Sequence, residues 1–318
     1  MKKNALRLAP VAVALITLAG VPAVLAHATV PGRNGPIVFR KALGEPGRLA
    51  IVNADGSGYG MLPRAKGVND GNPDWSRDGS TIAFERCPLR GGVCAILSIR
   101  PSGTGLKRLG PAGDDRGHPA WAPSGKEIAY VRGWGGVQNG QIKFTDIYVM
   151  KASGAGARRV TRVTAAKPFS ANVVHPAWSP DGKQLVFSVE TTPTGEPANG
   201  LALFVVNADG SGLRQLTPWS LDAGERPDWS PDGKLILFRA PAKNNRGNLY
   251  TINPDGSGLK QLTHYPGNVV DTGSFSPDGK WITFAKSANV YVMRADGTGA
   301  RQITHGISAW APDWGPAR

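Results

Sequence analysis

The stretch from Arg226 to Phe238, Arg-Pro-Asp-Trp-Ser-Pro-Asp-Gly-Lys-Leu-Ile-Leu-Phe, limits the fold more than any other part of the chain, because copies of it recur from end to end. The copies align on an aromatic residue at Trp75, Trp121, Trp178, Trp229, Phe275 and Trp314, with successive spacings of 46, 57, 51, 46 and 39 residues. A second unit alternates with the first: Asn53-Ala54-Asp55-Gly56-Ser57-Gly58 and its counterparts beginning at Arg100, Lys151, Asn207, Asn253 and Arg294. Self-similarity at a period of roughly 40 to 50 residues overrides the two-domain expectation that 318 residues would otherwise carry. One repeat architecture is expected over residues 34–318.

Each repeat reads as a strand ending at the anchor aromatic, a Ser-Pro-Asp-Gly-Lys turn, an apolar strand such as Gln184-Leu185-Val186-Phe187, and a variable loop. A third strand such as Leu203-Phe204-Val205-Val206, the Asp-Gly-Ser-Gly turn and a short fourth strand complete it. Asp-Gly pairs suit tight turns, because Gly takes positive φ without steric cost and Asp bonds the backbone ahead of it. The Asn-Ala-Asp-Gly-Ser-Gly runs are therefore turns and not calcium loops, which would need a bidentate Glu and flanking helices. No helix-period segment of useful length follows residue 34. The expected class is all-β: a six-bladed propeller of four-stranded antiparallel blades. Pro36-Ile37-Val38-Phe39 matches a second strand with no anchor strand before it, whereas Pro312-Asp313-Trp314 is an anchor strand with no second strand after it. The C-terminus is expected to join the first blade and close the ring.

Residues 34–318 resemble the propeller domain of TolB and related WD-like periplasmic repeats, which share the Trp-Ser-Pro-Asp-Gly-Lys and Asp-Gly-Ser-Gly-x-x-x-Gln-Leu-Thr signatures. The resemblance implies the propeller fold. It leaves function open, since such rings serve as binding platforms, as appendages to peptidases and as lyases. TolB itself carries an α/β domain ahead of its ring, whereas here the first repeat strand begins within a few residues of residue 33.

The first 28 residues differ in kind. Lys2, Lys3 and Arg7 precede an apolar run from Leu8 to Leu25, and Ala26-His27-Ala28 closes it with small residues where a signal peptidase cuts. This reads as an export signal, followed by a short leader over 29–33, and predicts a periplasmic or extracellular protein with no membrane span after processing. A retained anchor is the competing reading, opposed by Pro10, Gly20 and Pro22 within the run. Processing would lower the formal charge from +14 by three, to +11. Such a balance favours anionic partners in general, and an exported chain is not expected to meet nucleic acid. Cys87 and Cys94, the only cysteines, flank a hairpin loop, and in an oxidising compartment they are expected to form a disulfide. A two-cysteine metal site lacks its other ligands in the sequence.

In an up-and-down blade the two stereotyped turns share one rim, so the variable loops (40–48, 85–95, 131–145, 188–200, 239–248 and 285–289) share the other. Recognition is expected there. The residue three before each anchor should crown the central tunnel on this face: Asn72, His118, His175, Arg226, Thr272 and Ala311. Related propellers that act as oligogalacturonate lyases hold a divalent metal with histidines around this mouth, which implies His118 and His175 as ligands, with His264 and His305 in nearby loops. The other reading of these histidines is polar lining of a wet mouth. Basic residues including Arg132, Arg239 and Lys286 crowd the same face and suggest an anionic ligand, although cations on the outermost strands also protect sheet edges. Trp134, Trp219 and Trp310 lie off the repeat, placed either to stack on a ligand or to anchor loops by burial. Without a Gly-x-Ser-x-Gly motif, a phosphate-cradling loop or a hydrolase domain after the ring, a serine peptidase is not expected. The primary reading is a monomeric, cofactor-free platform that binds an envelope protein or an anionic glycan. The alternative is a metal-assisted lyase or hydrolase on an acidic oligosaccharide.

Overall fold

A computed structural model describes residues 32–42, 46–138, 141–162, 171–191, 200–242, 246–266 and 270–318. The export segment, residues 29–31 and the side chain of Trp134 lie outside the described residues. So do Glu45 and Glu196 and the side chains of Lys143, Lys243 and Arg246.

The repeat copies become six four-stranded antiparallel sheets, numbered as blades round the ring, with blade 3 over 116–159, blade 4 over 171–215, blade 5 over 225–261 and blade 6 over 270–302. Blade 2 is typical: Val68–Trp75 innermost, then Ile82–Pro88, Ala95–Ile99 and, outermost, Lys107–Leu109. Blade 1 is made from both ends of the ring. Ala309–Pro316 is its innermost strand and pairs with Asn34–Lys41, opposing Trp314 to Ile37 and Asp313 to Val38. The circle is closed as the unmatched ends of the repeat required.

Six hydrophobic clusters, one per junction, lie between successive blades. Leu185 and Phe187 pack toward blade 3, for example, while Val186 between them packs toward blade 5. Side chains alternate across a strand, and in this ring both faces are covered, so the second strands read as unbroken apolar runs. Trp75, Trp178, Trp229, Phe275 and Trp314 are buried in these junctions, and Trp121 packs half-buried against the cluster between blades 2 and 3.

The turn signatures have local causes. In the Ser230 copy the hydroxyl donates to Asp232 Oδ1 at 2.7 Å and accepts from Leu235 N–H at 2.9 Å, while Asp232 Oδ1 accepts Lys234 N–H. Gly233 follows with φ +71°, where any Cβ would add strain. The same bonds recur around Ser76, Ser179 and Ser276. In the Asp-Gly-Ser-Gly unit, Gly210 combines φ +93° with close approach to the previous blade: a Cβ there would meet Val160 O at 2.7 Å. The Thr that ends the repeat also has a job. The hydroxyls of Thr161, Thr217, Thr263 and Thr304 accept the third-strand N–H of Ile147, Leu203, Leu249 and Val290, replacing a ladder bond where the fourth strand has run out.

The outer-strand cations do more than guard edges. Arg158, Arg214 and Arg301 donate to the carbonyls of Ala208, Pro254 and Ala54, each in the next blade. Each also lies near the turn aspartate of that blade, Asp209, Asp255 or Asp296's counterpart Asp55, and helps hold its carboxyl below the usual range, after the turn's own hydrogen bonds. This group of basic residues therefore clasps neighbouring blades around the circumference. Among the described residues no helix is long and apolar enough to cross a membrane.

Candidate functional site at the tunnel mouth

All six innermost strands carry a register shift near the mouth, and the displaced residues include the six expected to crown it. In five of them the residue sits in left-handed backbone: Asn72 (φ 50°), His118 (49°), His175 (53°), Arg226 (46°) and Ala311 (53°). Each of these five is followed by proline, which bars right-handed helical geometry at the residue before it. Blade 6 has Thr272-Gly273 instead, and Thr272, β-branched, is absent from the left-handed set. Left-handed φ costs roughly 1 kcal/mol or more at a residue with a Cβ, and such strain gathers at functional sites. A bulge re-aims a side chain. Here it turns one residue per blade into the tunnel, where all six line a common cavity.

The two imidazoles stack with ring centroids 4.1 Å apart and 1° between planes. His175 N–H donates to His118 Nδ1 at 3.2 Å, which assigns the proton of neutral His118 to Nε2, 3.7 Å from Glu85 Oε2. Burial lowers the His118 pKa to about 4, opposed by Glu85 and assisted by Arg226. Burial, then His118 and Arg226, push His175 well below its ordinary value too. Both rings are neutral near pH 7, and His175 Nδ1 is buried without a hydrogen-bond partner.

Glu85 organises one side of the mouth. Its Oε2 accepts from Asn72 Nδ2 at 2.7 Å and from His118 N–H at 3.1 Å, and its Oε1 lies 3.1 Å from Cys87 Sγ. Cys87 and Cys94 form the expected disulfide. Replacing both with Ser is expected to lower stability by about 2 kcal/mol, from the loss of a short loop closure, measured as a drop in the urea midpoint at constant slope. An unchanged midpoint would show that the staple adds nothing.

Below the crown lies a layer that the repeat reading passed over. Asp74, Asp228 and Asp313 stand one residue before an anchor, and each accepts the N–H of the next blade's anchor: Trp121, Phe275 and Trp75, at 2.6, 2.7 and 2.8 Å. Ser274 does the same for Trp314 at 3.3 Å. Burial raises Asp313 to about 6 and, with the charges of Asp313 and Asp228, raises Asp74 well above its ordinary value. The signal was Pro-Asp-Trp in three of six copies.

The remaining expected site residues fall in several places. Arg132 pairs with Asp114 at 3.1 Å and lies over Tyr148, and Arg239 donates to Glu225 at 2.8 Å and to Val270 O at 2.9 Å. Lys286 sits 3.9 Å above the Tyr265 ring. Trp219 is a half-buried loop anchor against Phe204, in a 3-10 turn, whereas Trp310 is 38% exposed at the mouth. His264 and His305 are exposed and do not line the mouth cavities; His305 Nδ1 meets Gln302 Nε2 at 3.0 Å. Arg226 differs from the other cations. Its guanidinium lines the mouth with no hydrogen bond or ion pair to another described residue, and its charge is opposed by burial and favoured, from beyond contact distance, by Asp271, Glu85 and Glu225.

The architecture and the C-terminal closure define a six-bladed β-propeller with a polar tunnel. A model of the TolB β-propeller domain matches residues 160–318, and the chain belongs to that family. It is 24% identical over 203 residues to the uncharacterized peptidase YuxL of Bacillus subtilis (strain 168), a match that takes in 53% of this chain and 29% of that relative. TolB from Acinetobacter baumannii superposes with a TM-score of 0.68 at 19% identity over 91% of this chain and 68% of TolB. An oligogalacturonate lyase solved in complex with manganese superposes with a TM-score of 0.56 at 13% identity over 87% of this chain and 77% of the lyase. These structural likenesses concern the fold.

The mouth histidines do not fit a shared divalent ion as they stand. Imidazole binds a metal about 2.1 Å from nitrogen with the lone pair in the ring plane. Parallel rings 4.1 Å apart direct their lone pairs along separate planes, so no single point satisfies both. Among the described residues, the one group of three potential ligands in close reach is Glu85 with Cys87 and Cys94, whose sulfurs are joined to each other.

Proposed function

We propose that this chain is an exported, non-catalytic binding platform whose variable face takes a protein or anionic glycan partner of the cell envelope, anchored at the tunnel mouth. The observation that carries this reading is Arg226: a guanidinium held by strained backbone at the centre of the face, with no hydrogen bond or ion pair to another described residue. A partly buried guanidinium offers a carboxylate or similar acceptor charge-assisted hydrogen bonds in a site already shielded from much of the solvent. Export is supported by the basic and apolar pattern of residues 2–28 and by the disulfide. The pairing of Arg132 and Arg239 within the protein turns attention from a broad basic surface to this one cation. A platform is favoured over a metal-assisted lyase because the stacked imidazoles would have to separate before they held one ion together.

Crosslinking of the protein to an envelope extract, read by mass spectrometry, tests the proposal. Wild type is expected to crosslink one principal partner through residues around the mouth, and Arg226→Gln to lower its yield at least tenfold with an unchanged melting temperature. A partner captured equally by both proteins, or crosslinked only through the stereotyped face, refutes it.

A further inference from the structure

We propose that the mouth is a subsite for a small zwitterion, a primary ammonium and a carboxylate carried by one amino acid or one short peptide with free ends. This rests on the reading of the mouth as the recognition site and narrows its ligand from an anionic group in general to one that carries both charges.

A cavity of about 450 Å³ opens between the variable loops, within the size range of small-ligand pockets, roughly 300 to 1,000 Å³. Four charged residues line it in addition to Arg226: Arg40, Glu85, Glu225 and Asp271, and Arg239, outside the lining, pairs with Glu225. That pair accounts for Glu225. The four left over are two of each sign, Arg40 and Arg226 against Glu85 and Asp271, and no two of them form an ion pair. Their neighbours are neutral. Arg40 donates to Asn69 Oδ1 at 3.2 Å, Glu85 accepts from Asn72 and the His118 backbone, and Asp271 takes a long 3.4 Å bond from Ala311 N–H.

Opposite charges that share a cavity ordinarily close on each other, since each is otherwise desolvated without compensation. Here they are held open by separate anchors. The left-handed bulge fixes Arg226, the Asn72 amide fixes Glu85, and Asn69 fixes Arg40. The arrangement discriminates by repulsion as well as by attraction. A plain anion at Arg226 meets Glu85 and Asp271, and a plain cation at the acids meets both arginines. A ligand with both charges satisfies both sets at once. The stacked imidazoles, neutral at pH 7, add no charge to upset the balance. The exposed indole of Trp310 forms an apolar wall beside the charges, and a pocket of this size admits roughly one to three residues.

Calorimetric titration with trialanine, its N-acetylated and C-amidated forms, and free alanine tests this. The free tripeptide is expected to bind one-to-one, and blocking either end to weaken binding at least tenfold. In Arg226→Gln, amidation is expected to lose most of its effect while acetylation keeps it; in Asp271→Asn with Glu85→Gln the pattern reverses. Binding of alanine alone would assign the ligand to free amino acids, and binding of the tripeptide only would assign it to peptides. Blocked and free peptides that bind equally to wild type overturn the proposal, and so does the absence of binding by all four, whether or not the variants fold. If the envelope partner is still lost on Arg226→Gln while no zwitterion binds, the platform reading stands and the zwitterion fails.

Discussion

A chain that ends at Ala309 is expected to lose the cooperative unfolding of the whole ring, not to fray at one blade. The deleted strand is the innermost of blade 1, and its contacts reach three blades. Trp314 fills the cluster between blades 6 and 1, and its indole N–H donates to Gly35 O at 2.9 Å. Asp313 accepts Trp75 N–H of blade 2 at 2.8 Å and the Ser274 hydroxyl of blade 6 at 3.1 Å. Without it, blades 6, 1 and 2 share an open seam, and Asn34–Lys41 becomes a bare apolar edge prone to association. Trp314→Ala isolates the packing part: removing a buried Trp costs about 3 to 5 kcal/mol, a fall in melting temperature on the order of 10 °C for a domain of this size. Arg301→Ala, which breaks one circumferential clasp, should cost under about 1 kcal/mol. Calorimetry gives the ranking, and hydrogen exchange gives the extent. Protection should fall in every blade of the truncated chain; a truncated protein that melts within a few degrees of wild type, or loses protection in blade 1 alone, contradicts closure by this strand.

That closure was legible because each repeat states its own strand order, so an orphan second strand at one end and an orphan anchor at the other could only meet. The crown was legible for a similar reason, since counting back from the anchors reached all six residues. What the count did not convey was the backbone. Five X-Pro steps mark the bulges, yet Asn-Pro, His-Pro and Arg-Pro read equally as strand starts until the register is seen. The second layer of the mouth was harder. Arg40, Glu85 and Arg239 occupy one register position, the fourth residue of the second strand counted from the partner of the anchor. Val131, Ser188 and Ala285 hold that position elsewhere, so the chemistry varies where the geometry repeats. Repetition reveals positions of common structural purpose; a site built from departures at such a position is visible only when the blades are brought round a single axis. The partners of Arg132, Arg239 and Lys286 are likewise tertiary, and a charge count cannot tell a paired cation from an open one.

The tunnel should also give the protein a nearly pH-independent stability between about pH 4 and 6.5, through two large effects of opposite sign. Asp313 has a folded pKa of about 6 against an ordinary 3.8. The native state therefore holds its proton longer than the unfolded chain, and the stability this contributes is full below pH 4 and is lost as pH rises through 6. A shift of this size corresponds to about 3 kcal/mol. His118 runs the other way, with a folded pKa of about 4 against 6.5. The unfolded chain takes up that proton first, so its contribution, again about 3 kcal/mol, is full above pH 6.5 and lost as pH falls toward 4. Asp74 and His175 are displaced in the same directions as their neighbours and reinforce each side. Asp313→Asn keeps a carbonyl for Trp75 N–H but removes the acid, and it should unmask a loss of stability on acidification from pH 6.5 to 4. His118→Asn tolerates the left-handed φ of 49° and removes an imidazole; it should gain stability over the same descent. Urea midpoints at half-unit intervals of pH distinguish these cases. If the three curves run parallel, burial does not hold these protons as described. If they diverge in the stated order, the acids and imidazoles of one tunnel are titrating against each other, and the mouth keeps its two neutral rings, and hence its charge balance, well below neutral pH.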